Sequence, residues 1–331
     1  MNKMRVGFYV RNSFQVNHFR SLFGKTPNAV WVVKSKSKAQ AFGILDGEPV
    51  AASRFFLRRL MEKRFDVIVS QTTPPGRKLF KSTKFVMLQY GYAKESYNFG
   101  EWRKQSDLIL AYGNYAKERF SKMAPSVAIG NPRWDDWQNR EFQRDSKSRL
   151  DAILNPDLKT IVYAPTWGDL SSTRDWIDYV IALGYSYNVI VKAHHNSARD
   201  GEINPTTFPK NVHYLPNEDL FAVMTVADLV ISDVSGAIFD AVLCNIPVAL
   251  IAPNNLDQSF GKKVDARSIE IKKRAEFGVI IDSPSDLDLK ISEILDGKII
   301  DTSQWRTRLF ETSVNVAENF QNAIGVFDTQ K

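Results

Sequence analysis

The chain has 331 residues, a hydrophobic fraction of 44% and an aromatic fraction of 12%. This composition excludes a collagen-like, low-complexity or wholly disordered chain, and the length favours two domains. The single cysteine, Cys244, excludes a disulfide framework and favours a reducing compartment.

The net charge of +7 is unevenly divided along the chain. Residues 1–150 carry 28 basic and 12 acidic side chains, a balance of +16, whereas residues 151–331 have a balance of −9. A basic half needs an anionic partner, which could be a nucleic acid, an anionic membrane face or a phosphorylated substrate. We therefore expect two domains with different partners.

The first half alternates strand-like and helix-like segments. Its opening residues carry too short an apolar stretch for a signal peptide and instead predict a first strand. Strands are predicted at 6–10, 29–33, 66–70, 84–91 and 107–113, helices at 12–23, 51–63 and 114–123, and a last strand and turn at 126–137. No window reaches 18 apolar residues, so the sequence predicts no membrane span.

The second half repeats this alternation after a polar, then amphipathic segment. Its predicted strands are 160–166, 188–194, 212–215, 228–233, 247–252 and 278–282, and its predicted helices are 175–184, 217–227, 235–245 and 285–297. The pattern predicts an α/β protein with two Rossmann-like parallel-sheet domains that face a central cleft. The expected division is a basic domain at 1–140, a linker at 141–158, a second domain at 159–304, and a helix at 305–327 that packs back on the first domain.

The segment 227–251 contains a buried strand that ends at Asp233, followed by a turn and a helix. Gly236 in this turn lets a ligand approach the backbone, and Ser235 can cap the helix or donate a hydrogen bond. The first N–H groups of the helix and its dipole favour a phosphate here. Asp240, about one turn further on, is within range of a ribose hydroxyl. An ordinary strand–helix turn has the same features.

Basic and imidazole side chains lie at the carboxyl end of the predicted strand 188–194. Lys192 and a protonated or N–H-donating His194 at this edge can stabilise charge on a departing phosphate. Because adjacent strand residues point to opposite faces, His194 and His195 are expected to be a poor metal-binding pair. No Cys, Asp or Glu spacing completes a zinc site, so we expect neither a metal nor another cofactor.

Candidate residues also lie in two further regions that follow predicted strands. Thr166 is a candidate donor to a phosphate, and Trp167 beside it either stacks on a base or fills a domain edge. His18 follows the first strand, where a base for an acceptor hydroxyl could stand, although a solvent-exposed helix position is an equally good reading.

Arg133 follows a helix-breaking proline in the segment 126–137. It either forms an ion pair with Asp135 or Asp136 at an interdomain hinge, or binds an anionic ligand.

Four stretches together resemble the CDP-glycerol glycerophosphotransferase family of bacterial wall teichoic acid and capsule enzymes, which has the two-domain GT-B architecture. They occur in order between about residues 84 and 250, which makes the set far more specific than any one motif. The matching elements are G-x-P-R-x-D at 130–135, Y-A-P-T-W-R-D at 163–169 with Gly168 for arginine, basic-x-His-Pro at 192–195 with His195 for proline, and D-Y-S-S-x-x-x-D/E at 233–240.

This resemblance implies that His194, Ser235 and Asp240 hold the diphosphate and ribose of a CDP-linked donor. The donor is then a substrate, and the product is a polyol phosphate attached to an anionic polymer or a lipid-linked acceptor. It also implies a cytoplasmic protein in peripheral contact with the inner face of the membrane, with no specific nucleic acid as partner.

One element departs from the family. Its W-H-G-x-x-x-K pattern, whose histidine is the expected general base, falls at 89–94 with one residue fewer before the lysine; Tyr90 replaces the histidine and Lys94 provides the lysine. A phenol with a pKa near 10 is a weak base at neutral pH. Tyr90 could therefore position the acceptor while His18 is the base, the donor could differ, or activity could be lost.

Three other functions stay open from the sequence. The first is a GT-B glycosyltransferase that uses a CMP- or UDP-sugar for capsule or lipopolysaccharide synthesis. The second is a nucleic-acid-binding protein, which would explain the basic half, although no recognition motif is present. The third is an inactive partner subunit.

Overall fold

The computed structural model describes residues 4–254, 256, 265–313 and 315–328. Contacts within the chain divide it into two compact units. The first unit consists of residues 1–90, 99–136 and those from 307 onward, and the second consists of residues 91–98 and 137–306.

A wholly parallel, seven-stranded sheet forms the centre of the first unit. Its strands are β1 (Val6–Tyr9), β2 (Ala29–Val33), β3 (Val50–Ala52), β4 (Val67–Ser70), β5 (Lys84–Leu88), β6 (Leu108–Ala111) and β7 (Ser126–Ala128). They lie in the order β3-β2-β1-β4-β5-β6-β7, with Val6 of β1 paired to both Ala29 and Val67. Apolar side chains cover both faces of the central strands, as a parallel sheet between helices requires.

A second parallel sheet, of six strands, forms the centre of the second unit. Its strands are β8 (Thr160–Tyr163), β9 (Asn188–Val191), β10 (Val212–Tyr214), β11 (Leu229–Ser232), β12 (Val248–Leu250) and β13 (Val279–Ile280). The order is β10-β9-β8-β11-β12-β13, so the chain moves outward from β8 in one direction and from β11 in the other. This is the doubly wound order that the alternating pattern predicts.

Helices connect the strands of both sheets. They are α1 (Ser13–Lys25), α2 (Lys36–Ala41), α3 (Leu57–Arg64), α4 (Glu95–Asn98), α5 (Asn114–Phe120), α6 (Pro132–Gln138), α7 (Arg140–Asp151), α8 (Thr173–Ala182), α9 (His195–Asp200), α10 (Leu220–Met224), α11 (Ala237–Cys244), α12 (Ile269–Lys272), α13 (Leu287–Leu295), α14 (Ser303–Leu309) and α15 (Val316–Gly325).

Several boundaries differ from those predicted. The segment 51–63, predicted as one helix, contains the end of β3 before α3 begins, because Ala51 and Ala52 pair with Val32 and Val33 of β2. Residues 126–137 contain most of α6 where a turn was expected. Residues 141–158, predicted as a linker with a lead-in helix, contain most of α7, which agrees with that helix, and they group with the second unit.

The helix predicted at 305–327 is interrupted in the structure. It consists of α14 and α15, joined by an irregular segment, and residues from 307 onward belong to the first unit. The Asp135 carboxylate accepts hydrogen bonds from the backbone N–H groups of Val316 (3.1 Å) and Ala317 (3.0 Å), which fixes a new helix start there. Gly130 permits close packing, because a Cβ there would lie 2.7 Å from the Val316 side chain.

Candidate active site

The carboxyl ends of β8 and β11 mark the point where the strand order of the second sheet reverses. In doubly wound folds, ligands bind outside the sheet at such a point. Thr166 follows β8, His194 follows β9, and the segment Asp233–Gly236 follows β11. The second unit therefore brings together at one edge the donor-binding residues predicted from three separate motifs.

Asp233 links the loop after β8 to the turn after β11 through hydrogen bonds. Its fully buried carboxylate accepts hydrogen bonds from the backbone N–H groups of Thr166 (2.9 Å), Ser172 (2.9 Å) and Val234 (2.7 Å), and from the Ser172 hydroxyl (3.1 Å). Burial raises the pKa of Asp233, and the four donors act against that rise. Both carboxyl oxygens accept hydrogen bonds. The loop after β8 is thus fixed to the turn after β11.

The turn into α11 leaves open space for a ligand. Gly236 stands at the helix start, and a Cβ built there would meet no atom within 4 Å. The Ser235 hydroxyl accepts a hydrogen bond from the N–H of Ala237 at 3.3 Å. Asp240 lies in the first turn of α11 and is partly exposed. The N–H groups of Ala237, Ile238 and Phe239 donate within this turn, so it is the positive end of the helix dipole that favours a phosphate here.

His194 acts as the N-cap of α9. Its Nδ1 accepts a hydrogen bond from the backbone N–H of Asn196 at 3.2 Å. Burial is the largest cause that lowers the pKa of His194 to about 3, and the charges of His195, Lys94 and Lys192 lower it further. The imidazole is therefore neutral at physiological pH, with its proton on Nε2. The sequence leaves open a protonated imidazole or a neutral imidazole that donates an N–H, and the structure contains the neutral one.

Trp167 stacks beside the His194 imidazole, and Lys94 lies next to Trp167. The His194 and Trp167 rings lie 5.8 Å apart at an interplanar angle of 22°, and the Lys94 ammonium lies 5.9 Å from the Trp167 ring centroid. Trp167 is 44% exposed, so it does not fill a buried edge. A partly exposed indole beside a neutral imidazole can stack on a planar ring of a ligand.

The expected separation of the two histidines is wrong. β9 ends at Val191, so His194 and His195 belong to a helix start and not to a strand, and their rings lie 4.1 Å apart. Burial lowers the pKa of His195. Within the described ranges, no cluster of three or more His, Cys, Asp or Glu side chains could hold a metal ion.

Lys94 has an unusual backbone conformation, with a φ of +60°. Its N–H donates to the Glu270 carboxylate at 2.6 Å, and the N–H of Glu95 donates to the Ser268 hydroxyl at 3.1 Å. Burial lowers the pKa of the Lys94 ammonium, against the opposing charges of Asp233 and Glu270. These contacts hold a strained residue in the cluster around Asp233 and His194.

Glu270 is a buried residue that the sequence reasoning missed. It is 1% exposed, and burial raises its pKa to about 7. Its second oxygen has no hydrogen-bond partner among the described atoms. Arg274, one turn further on, donates to the backbone carbonyls of Asp233 and Ile251, and burial lowers its pKa to about 10. An acidic residue in a short helix far from the motifs gives no sequence signal for this role.

Lys192 has partners other than the expected phosphate. Its ammonium donates to the carbonyl oxygens of Pro216 (3.0 Å) and Ala193 (3.3 Å), and burial lowers its pKa. It therefore joins the end of β9 to the segment after β10.

In the first unit, His18 lies in a polar cluster after β1, β4 and β6. The Gln71 amide nitrogen lies 3.0 Å from His18 Nδ1 and 3.1 Å from the Gln89 carbonyl oxygen, and the Tyr112 hydroxyl lies 3.4 Å from the same Nδ1. The contact with Gln89 fixes the orientation of the Gln71 amide, so Gln71 donates to His18. The neutral imidazole therefore carries its proton on Nε2.

Tyr90 and Arg133, the other two candidates, also lie in the first unit. Tyr90 is 37% exposed and contacts Phe14 edge to face, with 5.6 Å between ring centroids. Arg133 is 4% exposed and forms an ion pair with Asp136 at 3.2 Å. Of the two roles left open for Arg133, the structure therefore contains the ion pair.

A cavity of about 460 Å³ lies at the opposite edge of the second sheet. Thr160, Asn188 and Asp228, at or just before the starts of their strands, form part of its lining. Ligands of doubly wound folds bind at the carboxyl ends, so we assign this cavity no role in the site. No helix within the described ranges combines the length and apolar character needed to cross a membrane.

Comparisons with known proteins agree with the motifs. A model of the CDP-Glycerol:Poly(glycerophosphate) glycerophosphotransferase family matches residues 17–287. The teichoic acid poly(glycerol phosphate) polymerase of Bacillus subtilis (strain 168) is 26% identical over 174 residues, which cover 47% of this chain and 23% of that protein. The match thus spans less than a quarter of that relative.

Solved structures share the fold. The wall teichoic acid polymerase TagF superposes with a TM-score of 0.69 at 17% identity, over 98% of this chain and 87% of that one. The UDP-GlcNAc 2-epimerase of Methanocaldococcus jannaschii, in complex with UDP-GlcNAc and UDP, gives 0.63 at 10% identity, over 98% and 100%. These similarities confirm the predicted α/β fold class with parallel sheets.

Proposed function

Since the chain belongs to the CDP-glycerol:poly(glycerophosphate) glycerophosphotransferase family, we propose that it transfers glycerol phosphate, or a related polyol phosphate, from a CDP-linked donor. The acceptor is a bacterial cell-surface glycan or a lipid-linked precursor. The TagF and Bacillus subtilis relatives are named as teichoic acid polymerases, which supports this class of product.

One observation carries the proposal: a neutral, N–H-donating His194 at the sheet edge that also presents the start of α11. A diphosphate needs hydrogen-bond donors that stay in place as charge develops on the leaving group. His194 Nε2–H and the Ser235 hydroxyl are the candidate donors, the dipole of α11 adds a favourable field, and Asp240 is the candidate partner of the ribose. Thr166 is a further candidate donor to the phosphate.

The reaction is a phosphoryl transfer. An acceptor hydroxyl oxygen forms a bond to the β-phosphorus of the donor, and the bond from that phosphorus to the oxygen bridging it to the nucleoside monophosphate breaks. The products are a new phosphodiester and CMP, and the hydroxyl proton passes to a base or to water. His194 and the start of α11 stabilise the charge on the departing CMP.

Replacement of the family histidine by Tyr90 is compatible with activity in this scheme. Positioning of the acceptor and stabilisation of charge on the leaving group supply a large part of the catalysis, so activity does not require a histidine at position 90. His18 is our candidate for the group that contacts the acceptor hydroxyl. Because Gln71 donates to Nδ1, the proton of His18 is on Nε2, so His18 can donate to the acceptor hydroxyl oxygen, and the hydroxyl proton passes to water or to another base.

The other partners follow from the same scheme. The donor is a substrate, and the mechanism requires no metal or further cofactor. The Lys94 ammonium places a positive charge near His194 and Trp167 and contributes to phosphate binding. The basic half of the chain attracts an anionic polymer or a lipid-linked acceptor at the inner face of the membrane.

A panel of donors tests the proposal. The purified chain is incubated with a glycerol phosphate oligomer and, in turn, CDP-glycerol, CDP-ribitol, a CMP-sugar and UDP-GlcNAc, and the nucleotide released is measured. We expect acceptor-dependent turnover with a CDP-polyol only. Turnover with UDP-GlcNAc alone would overturn the proposal in favour of a glycosyltransferase, and binding of nucleic acid at moderate salt without turnover would favour that function.

A further inference from the structure

We propose that the first unit docks on an anionic lipid bilayer through an exposed surface formed by the start of α3 and the segment after β4. This inference rests on the proposed function for its biological setting and locates the membrane contact on the protein. The surface, called here the Phe55 surface, consists of Arg54, Phe55, Phe56, Arg58, Arg59, Lys78, Leu79 and Lys81.

Three large apolar side chains on this surface point into solvent. Phe55 is 82% exposed, Phe56 is 67% exposed and Leu79 is 59% exposed. Single exposed apolar residues are common, but two adjacent phenylalanines with a neighbouring leucine require an explanation. Such side chains insert into the boundary between lipid headgroups and acyl chains.

Packing brings the two segments together. A Cβ at Gly76 would lie 2.4 Å from the Arg58 side chain, so that side chain runs along the second segment. Phe80 packs against the buried cluster that contains Leu57 and Met61. The inner face of α3 is therefore committed to the core, and its outer face, with Arg58 and Arg59, is left to solvent.

The charge of the surface has one sign. All five of its basic residues are exposed. The acidic residue of α3, Glu62, has its carboxylate engaged by the neighbouring backbone: Oε1 accepts from the N–H groups of Lys81 (2.9 Å) and Ser82 (2.8 Å). The basic side chains thus keep their charge for an external anionic partner.

The combination of features favours a bilayer over a soluble anionic polymer. A polymer of phosphates would be held by the basic side chains alone and would gain nothing from two phenylalanines. A bilayer with anionic headgroups uses both, since the basic groups bind the headgroups and the aromatic groups insert between them.

Vesicle sedimentation tests this assignment with the full chain. The vesicles are phosphatidylcholine alone, or phosphatidylcholine with one quarter phosphatidylglycerol. Two double variants remove one feature each, F55S/F56S and R58Q/R59Q. The matched control Y185S removes an aromatic residue that is 82% exposed in the second unit, and K210Q removes an exposed lysine there.

We expect binding to the anionic vesicles only, reduced about 25-fold in R58Q/R59Q, because each basic group strengthens binding about fivefold. F55S/F56S should lose about tenfold or more, and both controls should bind normally. Absence of wild-type binding would overturn the proposal. So would full binding by F55S/F56S with loss in R58Q/R59Q, which would indicate a polyanion site.

Two measurements distinguish loss of membrane binding from unfolding of the chain and from loss of the proposed transferase activity. Circular dichroism melting should be unchanged in both double variants, because the replaced side chains are exposed. CMP release from CDP-glycerol with a soluble acceptor should also be unchanged in F55S/F56S, since neither phenylalanine is a proposed substrate-binding residue. Vesicle binding by a chain that releases no CMP would leave the surface in place and refute the proposed function.

Discussion

Replacing Asp233 with asparagine tests how far one buried carboxylate organises the candidate active site. The carboxylate accepts from three backbone N–H groups, of Thr166, Ser172 and Val234, and from the Ser172 hydroxyl. Asparagine has only one acceptor oxygen, and its NH₂ group must then face at least one of those N–H groups. An unsatisfied buried donor costs about 1–3 kcal/mol, and hydrogen bonds to an ionised group are worth about 1.5–3 kcal/mol. We expect a loss of about 2–4 kcal/mol.

Urea denaturation of the full chain measures this loss. The control is Asp200→Asn, which removes an exposed carboxylate paired with Arg199 and should have no measurable effect. The KM for the donor should also rise in Asp233→Asn, because the loop carrying Thr166 is no longer fixed to the turn before α11. A denaturation midpoint in Asp233→Asn equal to that of the control would refute the reasoning.

Substitutions at three further residues have defined outcomes. His194→Asn keeps an oxygen that can cap α9 but removes Nε2–H, so kcat should fall about 10²–10³-fold with little loss of stability; normal turnover would exclude His194 as a donor to the leaving group. Burial raises the pKa of Glu270 from 4.5 to about 7, so its contribution to folding is complete below pH 4.5 and is lost as the pH rises through 7. The stability of wild type relative to Glu270→Gln should therefore fall by about 3 kcal/mol between pH 4.5 and 8 in urea titrations; a constant difference would contradict this. Tyr90→His should raise kcat at least tenfold, and Tyr90→Phe should leave it unchanged, whereas inactivation by Tyr90→Phe would make the phenol itself the base.

Much of the fold could be predicted because buried parallel strands have a clear sequence pattern. β2 occupies the predicted range, and the core strands β1, β4, β8 and β11 lie within theirs. The errors concern short or polar elements. β3 has three residues and directly precedes a basic helix, so its strand pattern merges with that of α3. The break before α15 depends on Asp135, about 180 residues away, and on the N-cap Asn315, whose side chain accepts from the N–H of Glu318 and which the sequence reasoning missed.

The candidate site, like the fold, could be predicted only where local sequence patterns determine it. The turn Asp233–Gly236 and the position of His194 could be predicted, because strand ends and helix starts have local signatures. The tautomer of His194 could not, since it depends on one backbone N–H and on burial. Glu270 and the left-handed Lys94 depend on a contact between residues 176 positions apart. Such long-range contacts leave no periodic trace in the sequence.

The identity of the bond broken in the donor tests the central proposal most directly. The full chain is incubated with CDP-glycerol and a glycerol phosphate oligomer, phosphorus NMR follows the new linkage, and chromatography identifies the nucleotide. The account predicts a new phosphodiester and one CMP for each glycerol phosphate transferred. A chain that leaves CDP-glycerol intact but releases a nucleoside diphosphate from a nucleotide sugar would contradict it.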